Sequence, residues 1–123
     1  MALTTLGAKE LGRVAAGYGA AFDHANAYIG VGNGTEAFAV GQTDLTGSST
    51  FRKAMDVGYP IVDGNTVTYR ATFAQAEANF DWNEWGVFNA ASGGVMLNRS
   101  VESNGTKQNN QTWVLEVSLT YDT

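Results

Sequence analysis

The chain has 123 residues, 44% of them hydrophobic and 15% charged, with a net charge of −5 and no cysteine. This length suits one compact domain, and the composition is too apolar for a disordered chain yet holds no apolar run near the ~20 residues of a membrane span. Without cysteine, disulfides, thiolate metal sites and a cysteine nucleophile are excluded together, and seven scattered basic residues make no phosphate footprint, so neither nucleic acid nor a membrane is expected as a partner.

In chain order, "MALTTLGAKELGRVAAG" lacks the basic start and apolar core of an export signal. Thr4 or Thr5 suits the N-cap of a short helix that carries Leu3, Leu6, Leu11 and Val14 near one face and ends at Gly17 and Gly19. An extended arm ordering on a neighbour is the alternative, so residues 1–22 are taken as a helix or arm and 23–123 as a single β domain. His24 is the only histidine and no G-x-S-x-G elbow occurs; a two-histidine metal site is excluded and a structural role is expected. "AYIGV" reads as a short strand. The following "GVGNG" at Gly30–Gly34 has only a superficial likeness to a dinucleotide-binding turn, since the sixth position is Thr35 and no amphipathic helix follows. Residues 41–50 are loop chemistry.

"FRKAMDV" alternates weakly and soon meets Pro60, the pattern of an edge strand. Asp63-Gly64 signals a hairpin, so strands near 51–62 and 65–73 are expected to pair. In "NTVTYRATF", Val67, Tyr69, Ala71 and Phe73 share one face; in "TWVLEVSLT", Trp113, Leu115, Val117 and Leu119 do the same. Both are half-buried strands.

The block "NFDWNEWGVFNAASGGVMLNRSV", Asn79–Val101, holds the ingredients of a glycan-cleaving site, two carboxylates among aromatic rings. On a strand, however, Asp81 and Glu84 point to opposite faces about 10 Å apart, a poor retaining pair. The same block reads as a hairpin, Trp82–Asn89 and Val95–Val101, turning at "AASGG" with Gly93 or Gly94 at positive φ. Glu84 and Arg99 on its arms then suit cross-strand or intersubunit pairing, and Trp82, Trp85 and Trp113 suit a core or an interface. No calcium-loop pattern occurs. Together the elements predict a mainly β fold, an antiparallel β-sandwich with a jelly-roll-like variant as its competitor, and no catalytic residue, cofactor or metal.

The succession "AYIGVGNGTEAFAVGQTDL", "RKAM", "GNTVTYRATFAQAEANFDWNEWGVFNAASGGVMLNR" and "TWVLEVSLT" resembles small structural proteins of tailed bacteriophages over about residues 26–120. The resemblance implies a non-enzymatic virion component. The expectation is a capsid decoration, or cement, protein on the outer capsid surface that bridges major capsid protein subunits as a homo-oligomer, expected as a trimer. A fibre would continue beyond the terminal strand, so a stand-alone piece is favoured over the alternative, a tail-fibre or collar adaptor. A carbohydrate-binding or glycan-cleaving module acting on a host glycan is the more distant alternative. The candidate interaction residues are Ala2, Leu3, Leu6 and Leu11 in the amino-terminal stretch, together with Glu84 and Arg99.

Overall fold

The computed structural model describes residues 2–122. A helix, α1 (Thr5–Ala15), precedes seven strands: β1 (Tyr28–Gly32), β2 (Thr50–Ala54), β3 (Ile61–Asp63), β4 (Thr66–Phe73), β5 (Glu84–Phe88), β6 (Ser100–Val101) and β7 (Trp113–Thr120). They form two antiparallel sheets, ordered β2-β1-β5-β6 and β3-β4-β7, packed as a β-sandwich. Ile29, Val31, Trp85 and Val87 from the first sheet meet Tyr69, Ala71, Phe73, Val117 and Leu119 from the second. Edge-to-face stacking continues across the layer, from Phe73 to Trp82 at 4.8 Å and from Trp82 to Trp113 at 5.0 Å.

The alternation in β4 and β7 gives the faces expected from it, and the two strands pair along their full length from Thr66↔Thr120 to Phe73↔Trp113. The segment 51–62 differs from expectation, because it is two strands in two sheets. β2 pairs with β1, whereas only β3 pairs with β4, through a turn in which Gly64 has φ 60°. The interruption has a local cause. Gly58 takes φ 84°, and the Asp56 carboxylate is held by Arg70 Nε at 3.0 Å and Thr72 Oγ1 at 2.8 Å, which turns the chain out of the first ladder.

At the amino terminus the helix is found, and it is docked on the sandwich rather than standing outside the strand framework. Thr4 is the N-cap: its hydroxyl accepts from the Gly7 N–H at 2.8 Å and donates to the Met96 carbonyl at 2.6 Å. Gly7 lies so close to the chain at Leu97 that a Cβ would strike that carbonyl. Ahead of the helix, Leu3 bridges Asn98, so the amino-terminal residues extend the first sheet.

The 82–101 hairpin is present with a broken ladder. Phe88 faces Met96 while Trp85 faces Ser100, a one-residue shift of register. At the shift, Asn98 gives its backbone to Leu3 and its side chain to the Val87 N–H at 3.1 Å. Both Gly93 and Gly94 take positive φ.

Candidate functional site

β5 is buried along its whole length because the irregular segment between β1 and β2 wraps its outer face. Glu84 is what holds that segment. Its Oε2 accepts from the N–H of Gly34 at 2.9 Å and of Gly47 at 2.8 Å; its Oε1 accepts from the N–H of Thr46 at 2.9 Å and from Arg99 Nε at 2.8 Å. Both side chains of this ion pair are fully enclosed. Arg99 reaches further, donating to Gln42 Oε1 at 3.2 Å and Thr46 Oγ1 at 3.0 Å. The glycines explain themselves here: a Cβ on Gly32 or Gly34 would run into the Glu84 carboxylate. "GVGNG" is thus a cradle for a carboxylate of the same chain. Burial would raise the Glu84 pKa, but the Thr46 N–H, the Arg99 guanidinium and the N–H groups of Gly47 and Gly34 outweigh it and hold it below the ordinary carboxylate range.

Glu84 is therefore a structural anchor with its acceptor positions filled, and it pairs with Arg99 inside one chain. As an enclosed pair, the two are closed to the intersubunit contact entertained for them. Asp81 does not join it, being exposed and bonded to the Thr106 hydroxyl. Trp82 and Trp85 are 2% and 8% exposed, and the Trp85 indole N–H donates to Glu102 at 2.9 Å; neither offers a free stacking face. His24 binds the Tyr59 carbonyl oxygen at 2.7 Å. Among the described residues no group of three or more His, Asp or Glu could hold a metal ion.

The remaining candidates sit on the surface. Leu3 packs on the core, as does Leu11; Ala2 lies in a crevice with Trp85, Asn98, Ser100 and Leu119; Leu6 is 43% exposed. Leu11 also lines an open, largely apolar trough between α1 and the β3–β4 hairpin that includes Val14, Pro60, Val62, Val67 and Tyr121. Val62 is 70% exposed beside Ile61 at 47%. The first sheet does not extend over this end of the second, and the helix covers only part of it. Of these residues only Leu11 was singled out by the sequence as a contact. Val62 had a weak signal, an apolar pair between a proline and a turn, but its solvent-facing position depends on which sheet β3 joins.

Lys107 carried no signal at all. It is 1% exposed, and its ammonium donates to the carbonyls of Ala74 at 2.8 Å and Gln75 at 3.3 Å and to Asn79 Oδ1 at 2.8 Å, fastening the turn after β4. No protein-family model matches the chain, and neither a search of curated proteins nor one of solved structures finds a match.

Proposed function

We propose that the protein is a non-enzymatic virion structural protein of a tailed bacteriophage, a decoration or cement protein that binds the outer capsid surface as a homo-oligomer and bridges major capsid subunits. The phage class comes from the sequence resemblance. The observation that carries a docking role is the trough beside α1, where apolar side chains from a helix and a hairpin stand uncovered together.

The physical chemistry favours a multivalent mode. Burying one Val or Leu side chain contributes roughly 1.5–3 kcal/mol, so the few residues of the trough offset only part of an association cost of about 4–15 kcal/mol. A single contact is then weak. Several copies in one oligomer, each engaging a neighbouring capsid subunit, bind by avidity and stabilise the assembled shell because that shell is the state they recognise.

Electron cryo-microscopy of virions carrying a labelled copy tests the placement. The expected result is label distributed over the capsid; label confined to the tail would sink the cement reading in favour of the collar or fibre adaptor. In a reconstitution assay with undecorated capsids, Val62→Asp should reduce binding at least tenfold with an unchanged melting temperature, since Val62 is largely solvent-exposed in the free protein. Undiminished binding would show that the trough is not the contact.

A further inference from the structure

We infer that the free edge of β7 pairs with the β7 edge of a second copy around a two-fold axis, making one continuous antiparallel sheet of six strands. This rests on strand geometry and is independent of the virion reading.

The hydrogen-bond phase of β7 is fixed by its partner. The Tyr121 N–H donates to the Asn65 carbonyl at 2.8 Å, and Asn65 and Tyr121 continue the β4–β7 register. The odd-numbered residues 113–119 therefore bond to β4, and Val114, Glu116, Ser118 and Thr120 turn their N–H and C=O groups outward. Among the described residues none of these outward groups has a backbone or side-chain partner. All four side chains are exposed as well.

The other edges are each protected. β2 carries Arg52 and Lys53, the latter paired with Glu77 at 2.8 Å. β3 has three residues and follows Pro60. β6 has two, and beside it Leu3 covers Asn98. β7 is eight residues long with no proline, no basic residue and one charge, Glu116. A long edge without such devices is a template for strand addition.

Overlap along the whole of β7 leaves an axis through Glu116 or through Val117, and the single charge chooses between them. An axis through Glu116 would set the two carboxylates against each other. An axis through Val117 instead sets Glu116 against the partner's Ser118 and Val114 against the partner's Thr120, with Leu115 facing the partner's Leu119 on the inner side. Four outward pairs then exchange about eight backbone hydrogen bonds. It also brings the partner's Trp113 to Tyr121, at the end of the edge where Ala2, Trp85, Ser100 and Leu119 line the open crevice. A second copy is thus favoured over an unrelated strand, because in this register the edge meets itself with matching side-chain faces, full backbone pairing and no carboxylate directly opposite another. A two-fold pair is not the trimer expected from the sequence, and the two differ in mass.

Sedimentation velocity on the purified full chain at micromolar concentrations tests this. The expected species is a dimer. Ser118→Pro, which removes an outward donor and leaves the β4 ladder intact, should give a folded monomer by circular dichroism. Ser118→Glu places two like-charge pairs across the axis and should weaken the dimer about tenfold, whereas Ser118→Lys should tighten it severalfold. A monomeric or trimeric parent chain, a folded Ser118→Pro variant that stays dimeric, or equal effects of Glu and Lys at 118 would overturn the proposal.

Discussion

Glu84 shows how the role of one residue is set by groups far from it in the chain. Its neighbours, Trp82 and Trp85, suggest a cleft; its hydrogen-bond donors are Gly34 of "GVGNG", 50 residues earlier, with Thr46, Gly47 and Arg99. Removing one partner of a buried ion pair leaves the other charge without compensation, so Glu84→Gln should cost about 3 kcal/mol or more in a denaturation experiment. The pH dependence has a definite sign. The folded-state pKa of Glu84 lies below its unfolded value, so the stabilisation is full above the unfolded pKa and is lost as the pH falls through the folded one. The gap in melting temperature between parent and Glu84→Gln should accordingly narrow on acidification below the ordinary carboxylate range; a constant gap would mean that the charge contributes nothing.

At the scale of elements, α1 depends more on its docking than on its intrinsic propensity. An isolated eleven-residue helix is marginal in water. It is held at its start by the Thr4 hydroxyl and by the close approach of Gly7 to the Leu97 carbonyl. Gly7→Ala would raise helix propensity by ~1 kcal/mol in isolation, yet here the added methyl meets backbone that cannot yield. The predicted outcome is net destabilisation of roughly 1–3 kcal/mol by overpacking, read as a lower midpoint in urea. A stabilised variant would refute the packing argument. The cap was legible in "LTTLG" because capping is local chemistry. The docking was not, because the groove that receives Gly7 is made by residues about 90 positions later.

For the whole molecule, one aromatic column runs from Phe51 of β2 in the first sheet to Phe73 of β4 in the second, at 6.2 Å, and on to Trp82 and Trp113. Trp82 lies outside any strand, yet it is 2% exposed between Phe73 of β4 and Trp113 of β7, and its indole N–H donates to the Ala78 carbonyl at 2.9 Å. Trp82→Ala should cost about 3–5 kcal/mol, a large part of the stability of a domain of this size. Calorimetry that finds less than ~1 kcal/mol would show that the sandwich does not depend on the column. On the surface the same fold leaves open the trough beside α1 and the free edge of β7. They serve different ends in our reading: one takes the capsid subunit and the other takes a copy of the chain.

The sequence by itself determined the elements whose signals are local: the alternating faces of β4 and β7, the Gly64 turn, a cap at Thr4 or Thr5 and a positive-φ glycine at 93 or 94 in the 82–101 hairpin. A period of two, a capping hydroxyl and a glycine each act within a few residues, so the chain displays them directly. Only the tertiary structure decided which sheet each half of 51–62 would join, that Glu84 and Arg99 would be sealed together, and that Lys107 would be buried among carbonyl oxygens. Each of these depends on groups brought together from distant parts of the chain. The free energy that selects them, desolvation offset by hydrogen bonding, exists only once those groups share a water-excluded space.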